Sequence, residues 1–200
     1  IGGEAALGAA QKLRAEILAT ASVLLQADPG SVDIVNGAIV DSTGTARLTL
    51  KNLAEIVIFR GYELPDGLQP QLNVAHTYRR EGDPAIPTNG IQASLVEIDT
   101  ATGIVRCVQH WVVEDCGVIV NPLLVDEQIR GGVVQGIGAA LFEACRYDAA
   151  GQLLTSTLAD YLLPMAGEMP DITVAHVETP YSGSVLGAKG AGEAGTCAAA

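Results

Sequence analysis

The sequence has few aromatic residues and little charge, and its cysteines and histidines are scattered. Aromatics make up 4% of the 200 residues, so a core must be built from Ala, Val, Leu and Ile. Charged residues make up only 17% against 48% hydrophobic, which excludes the composition of a disordered chain. No apolar run is long enough to span a membrane. The net charge of −12 repels a polyanion, which excludes nucleic acid as a natural partner. Cys107, Cys116, Cys145 and Cys197 contain no Cys-x-x-Cys pair and match no zinc or iron–sulfur spacing. His76, His110 and His176 are equally dispersed. A metal working here would not be held by a cluster of these side chains.

Length fits one or two small domains. Residues 4 to 26 carry Ala10, Leu13, Ile17, Ala21, Leu24 and Leu25 at helical spacing, and Asp28-Pro29-Gly30 closes that helix. Val32 to Val40 is split by Asn36-Gly37, the pair favoured in a two-residue hairpin turn. Thr49 is placed to cap a short helix through Ile58. Gly61 to Pro70 reads as a loop, residues 71 to 80 as a strand, and Glu81 to Asn89, with Pro84 and Pro87, as another loop.

Ile91 to Ile98 and Ile104 to Val113 form a second hairpin about an Asp99–Gly103 turn. A helix follows Asn121-Pro122 and runs from Leu124 to Arg146. A helix-like piece at Leu158 to Met165, a strand at Ile172 to Glu178 and a Gly/Ala-rich loop from Ser182 to Gly195 complete the chain. Helices and hairpins mix without regular βαβ alternation, so the fold class is α+β, with mixed sheets and packed helices.

Three segments could carry chemistry. Asp126 to Gly138 holds four glycines in one helix. Each costs about 1 kcal/mol against Ala, so close approach of a backbone or a ligand must offset them. Gln128 and Gln135 lie seven residues apart, two helical turns, and share a face. An amide that donates and accepts suits the edge of a heterocycle. On spacing alone, a tightly packed core helix with two satisfied glutamines is the commoner outcome.

Gly187-Ala-Lys-Gly-Ala-Gly-Glu193 is a loop whose main-chain amides can face a polar ring and which ends in a carboxylate. Taken alone it is a weak signal, because a solvated Glu on a loop is ordinary. Glu114-Asp115-Cys116-Gly117 could present groups to a site, but the local pattern favours the plain end of a strand.

Taken in order, these segments resemble one family. Val96-Glu-Ile-Asp99 with Thr102-Gly103, Val113 to Gly117, Asn121-Pro122, Gln128 to Gly138, Asp160-Tyr-Leu-Leu-Pro164 and Gly187 to Glu193 are similar to the molybdenum hydroxylases. That family includes xanthine dehydrogenase, aldehyde oxidase and aerobic carbon monoxide dehydrogenase. The match is strong from about Gly90 to Thr196 and looser before it. The resemblance implies the C-terminal part of a molybdopterin-binding subunit, with 1–200 as one region of a larger chain. The absence of an initiator Met at Ile1, and a C-terminus in an Ala-rich stretch where a helix is expected to begin, lead to the same expectation.

By that resemblance Glu193 is the catalytic base beside the molybdenum. Gln135 hydrogen-bonds the pterin, Gln128 is a further cofactor contact on the same helix, and Lys189, Gly190, Ala191 and Gly192 wrap against the cofactor. The cofactor implied is molybdopterin with molybdenum, in its cytosine dinucleotide form, which carries its own metal-binding sulfurs. The chemistry implied is oxidation of an aldehyde or N-heterocycle with water as the oxygen source. Implied partners are an iron–sulfur (2Fe–2S) subunit, an FAD subunit and the upstream part of the same subunit, assembled as a dimer of heteromers. Implied location is the cytoplasm, with the periplasm left open. The alternative is a non-catalytic scaffold, or a split-subunit module of such a complex. Retention of Glu193 and Gln135 favours the catalytic reading.

Overall fold

The computed structural model describes residues 1–80 and 86–197, in two compact units, Ile1–Arg80 and Glu81–Ala200.

The first unit opens with α1, Gly2–Leu25, which ends where Gln26 turns left-handed and Ala27 N–H donates to the Ser22 carbonyl at 2.9 Å. Strands β1 (Val32–Val35), β2 (Ala38–Asp41) and β3 (Ala46–Thr49) form an antiparallel sheet in that order. Asn36 and Gly37, at φ 49° and 77°, make the expected hairpin turn between β1 and β2. The third strand is not foreseen from the sequence. Helix α2, Leu50–Phe59, is capped as expected: the Thr49 side chain accepts from Asn52 N–H at 3.1 Å. Ala21, Val32, Ile39 and Leu53 are the buried core of this unit.

Residues 71–80 do not form the expected strand. They belong to no strand and touch α1, where Lys12 Nζ donates to the Ala75 carbonyl at 3.3 Å and the His76 ring fills the space beside Gly8. Their apolar pattern reads as strand, but a helix takes the place of a partner strand. The first half of the proline loop expected at 81–89 lies outside the described residues. Its last residue, Asn89, already belongs to the next strand.

In the second unit β4 (Asn89–Ile98) pairs antiparallel with β5 (Val105–Asp115), and β6 (Asp171–His176) pairs parallel on the other side of β5. Helix α3, Pro122–Leu141, lies in the crossover from β5 to β6, and its first turn is capped by the Asn121 side chain, which accepts from Leu124 N–H. Ile129, Val133 and Ile137 of α3 pack on Cys107, Val112 and Ile172 of the sheet. The mixed sheet with its packed helix bears out the α+β class.

Two expectations fail here. Helix α3 stops at Leu141, not Arg146. Beyond it, residues 144–147 pair with 153–155: Leu154 N–H donates to the Arg146 carbonyl at 2.8 Å, and the Thr155 hydroxyl to the Ala144 carbonyl at 3.0 Å. Leu158 to Met165 forms only a single turn, with Tyr161 N–H donating to the Thr157 carbonyl at 2.8 Å. Pro164 disfavours helical geometry at the residue before it, and Tyr161 leans away to hydrogen-bond Glu143. Pro164 and Glu143 then close over Gly138, whose missing side chain leaves them room.

Candidate functional site

The site forms where the closing loop meets the middle of α3. Its foundation is the turn that ends β5. Asp115 accepts from the Lys189 ammonium at 2.9 Å, from Gly117 N–H at 2.9 Å and from Thr179 N–H at 3.0 Å. Lys189 is 9% and Asp115 11% exposed at the side chain, so the pair is nearly buried. The lysine ammonium, with the two main-chain donors behind it, holds the Asp115 carboxyl well below the usual carboxylate range.

Lys189 N–H donates to the Cys116 carbonyl at 2.7 Å, and Val118 N–H to the Gly187 carbonyl at 3.1 Å. Gly117 sits at φ 66°, and a Cβ there would lie 2.4 Å from the Gly187 carbonyl oxygen, so only glycine allows this approach. The segment whose local pattern favours a plain strand end is therefore the anchor of the glycine loop. Two adjacent acids before a glycine were the available signal, but the partner lysine is 74 residues away.

From this anchor the loop alternates. Lys189 turns inward to Asp115, and Ala191 packs on the core. Gly190 and Gly192 are exposed between and after them. Glu193 is exposed and begins a short turn in which Thr196 N–H donates to the Glu193 carbonyl at 3.0 Å. Gly195 is buried against α3, where a Cβ would lie 2.4 Å from the Ile129 carbonyl oxygen. Gly132 of α3 answers it, with a Cβ position 3.1 Å from Gly195 Cα.

The two glutamines of α3 reach the loop on the exposed side of this contact. Gln128 Nε2 donates to the Gly192 carbonyl at 2.7 Å, and the Thr196 hydroxyl donates to Gln135 Oε1 at 3.4 Å. Between them Gly131 is exposed, with nothing within 4 Å of where its Cβ would be. Gln128, Gly131, Gln135, Gly190, Gly192 and Glu193 are all exposed, the first three on the face of α3 that meets the loop. Of the residues singled out from sequence, Lys189 and Ala191 are turned away from this face into supporting contacts.

One supporting group was missed. Gln92 of β4 donates from Nε2 to the Gly195 carbonyl at 3.1 Å and to the Ala194 carbonyl at 3.3 Å. Nothing in the local pattern of β4 marks it, because its partners are over 100 residues away.

Neighbouring titratable groups are not poised to react. Burial raises the Cys107 and Cys116 thiols, and the charges of Glu114 and Asp115 raise Cys116 further, so neither is an activated nucleophile. Glu114 is buried and its carboxyl is raised for that reason. Among the described residues no group of three or more His, Cys, Asp or Glu could hold a metal ion. The site offers amides, main-chain groups and one exposed carboxylate. That is donor and acceptor chemistry for a polar ring, with a carboxylate at its edge.

A family model described as the molybdopterin cofactor-binding domain matches residues 1–170. The nicotine 6-hydroxylase large subunit of Paenarthrobacter nicotinovorans is 37% identical over 194 residues, covering 96% of this chain and 23% of that protein. The carbon monoxide dehydrogenase large chain of Hydrogenophaga pseudoflava is 32% identical, covering 96% of this chain and 24% of that one. Among solved structures, quinoline 2-oxidoreductase from Pseudomonas putida 86 superposes with a TM-score of 0.73 at 34% identity, covering 95% of this chain and 24% of the other. A Cu,Mo carbon monoxide dehydrogenase superposes at 0.78 with 26% identity, covering 98% and 24%. The chain spans about a quarter of the length of the relatives it matches.

Proposed function

The chain belongs to the molybdopterin cofactor-binding domain family, and we propose that it forms one wall of the catalytic pocket of a molybdenum-dependent hydroxylase, with Glu193 as the general base. The residues present fit a pterin. Gly131, Gly190 and Gly192 have no packing neighbour within 4 Å of a Cβ, so their small size answers no contact inside this chain. They leave a side-chain-free surface between two glutamine amides, where a flat polar ring has room and partners. Gln135 and Gln128 would hold the pterin edge, with the main chain of Gly190 to Gly192 against it. Lys189 and Ala191 would hold that main chain from behind.

When bound, the molybdenum cofactor, proposed in its cytosine dinucleotide form, supplies the two-electron oxidation of carbon. The chain supplies a proton acceptor. A carboxylate that is exposed, on a loop tied to its neighbours on either side, can take a proton from water as that water becomes the oxygen source. The substrate is proposed to be an aldehyde or N-heterocycle. Two of the similar proteins are named for nicotine and quinoline, both N-heterocycles, which supports the second class. Electrons would leave to an iron–sulfur (2Fe–2S) subunit and an FAD subunit. Relatives designated large subunit, large chain and subunit gamma support such an assembly. We further propose a dimer of these heteromers in the cytoplasm. Among the described residues no helix is long and apolar enough to cross a membrane.

The observation that carries this reading is the exposed Glu193 beside the glutamine face of α3. Its test is Glu193→Gln in the complete enzyme, with molybdenum measured by mass spectrometry and substrate reduction followed in a single turnover. The metal content should stay normal while the rate falls roughly 10²–10⁴-fold. Substantial turnover would assign the base elsewhere. Loss of the metal together with the rate would make Glu193 a support of the loop.

A further inference from the structure

We infer that Gln92, oriented by His110 and Ser94, is a positioning residue for Glu193, a role that rests on the reading of Glu193 as the base. The main chain around Glu193 is held from both sides by glutamines of different elements. Before it, the Gly192 carbonyl accepts from Gln128 of α3 at 2.7 Å. After it, the Ala194 and Gly195 carbonyls accept from Gln92 of β4 at 3.3 and 3.1 Å. Gly195 leaves no slack on that side, because it is wedged against the main chain of Ile129 and Val133. A carboxylate on an exposed loop is ordinarily free to wander, but here the backbone that carries it is clamped.

The direction of every bond behind Gln92 is forced. Main-chain carbonyls only accept, so the Gln92 NH₂ group must face them and its Oε1 must face His110. That oxygen lies 3.1 Å from His110 Nε2, which must therefore donate. His110 is fully buried, and burial lowers its affinity for a second proton, so it is the neutral ring with hydrogen on Nε2. Its Nδ1 then accepts from the Ser94 hydroxyl at 2.8 Å. Ser94 pairs with His110 across the β4–β5 ladder, so the sheet register itself builds the relay. The Gln92 NH₂ group also lies 3.5 Å from Glu114 Oε1 of a buried carboxyl, a further acceptor on the NH₂ end of the amide.

Glutamine is the side chain this role needs. Glutamate would set a carboxylate against two carbonyls and Glu114, and leucine would leave the carbonyls unpaired. An apolar residue at position 110 would free the amide to flip. The effect of this relay on chemistry is through Glu193 alone.

The experiment is Gln92→Leu in the complete subunit, with its partner subunits for kinetics. Molybdenum content should be unchanged and KM should stay within about twofold, while kcat falls roughly 10- to 100-fold from misplacement of the base. In the cofactor-free subunit, amide hydrogen exchange across residues 193–197 should rise severalfold. Ser94→Ala should give a smaller version of both effects, and Ser94→Thr, which keeps the hydroxyl, should restore them. Unchanged exchange in Gln92→Leu overturns the clamp. Raised exchange with unchanged kcat overturns the positioning role, and loss of molybdenum in step with kcat reduces Gln92 to a structural support. If Glu193→Gln itself retains turnover, the base assignment and the positioning role fail together, and the exchange measurement still decides whether Gln92 clamps the loop. Should Gln92→Leu fail to fold, the Ser94→Ala and Ser94→Thr pair decides on the same readouts.

Discussion

Five glycines at the meeting of α3 and the closing loop divide into two groups. Gly132 and Gly195 face each other across the contact between helix and loop, and a Cβ on either would press on main-chain atoms 2.4 to 3.1 Å away. Gly131, Gly190 and Gly192 face outward, and a Cβ on any of them would meet nothing within 4 Å. None of these three adopts a positive φ, so backbone conformation does not require them either. The first group is explained by folding. The second is expensive to the helix or idle in the loop unless something else occupies the face. One surface is shaped by the chain for itself, and the other for a ligand.

Substitutions of opposite sign separate the two groups. The largest structural effect is expected from Gly195→Ala. Its methyl would meet the Ile129 carbonyl oxygen at 2.4 Å, and relief requires moving the loop. Overpacking of this kind costs about 1–3 kcal/mol, so the denaturation midpoint of the cofactor-free subunit should fall and its molybdenum occupancy with it. An unchanged midpoint would mean that the helix–loop contact is not tight.

Gln135→Ala comes next. It should spare the fold and weaken cofactor retention, since leaving one polar edge of a buried ring unpaired costs about 1–3 kcal/mol. Gln135→Glu should retain still less, because it can no longer donate. Equal molybdenum content in the wild type and Gln135→Ala after dialysis would remove Gln135 from the pterin site.

Gly131→Ala should act in two directions at once. In the cofactor-free subunit it should stabilise α3 by up to about 1 kcal/mol, the intrinsic helix gain of Ala over Gly. In the loaded enzyme it should lower occupancy, because the methyl projects into the open face. A stabilised apo-protein with undiminished cofactor content would show that the outward glycines do not line the site.

The smallest effect concerns acid. Asp115 has its carboxyl lowered by Lys189 and the main-chain donors, so folding gains from its ionised form above its ordinary value of 3.8 and loses that gain as pH falls below it. Hydrogen exchange in residues 187–189 should therefore accelerate on acidification through that range, and Lys189→Met should weaken the pH dependence. Exchange that is flat with pH there would release Asp115 from its anchoring role. Glu114 works in the opposite sense. Burial raises its carboxyl, so its contribution is lost as pH rises from its ordinary value of 4.5 through the raised one.

Much of the architecture was legible before folding was considered. Helix α1, the Asn36-Gly37 hairpin, the Thr49 cap, the β4–β5 hairpin and the body of α3 follow from periodicity and turn chemistry within a dozen or so residues. The failures share a cause. Residues 71–80 have the composition of a strand but lie on a helix. Residues 142–146 have the composition of a helix, but the chain leaves the helix there and 144–147 pair with 153–155. In each case a distant or later partner outcompeted local preference.

For the site, the sequence by itself determined the chemical inventory: two glutamines on one helical face, a glycine loop and a carboxylate at its end. Spacing along a helix is a property of consecutive residues, so Gln128 and Gln135 had to share a side once α3 formed. Only the tertiary structure decided what holds that inventory in place. It committed Lys189 to Asp115 across 74 positions, turned the strand end at Gly117 into an anchor, and brought Gln92 under the carbonyls that follow Glu193. Hydrogen bonds and close packing act over a few ångströms regardless of separation along the chain. A residue whose partner is a hundred positions away therefore carries no local mark of its role.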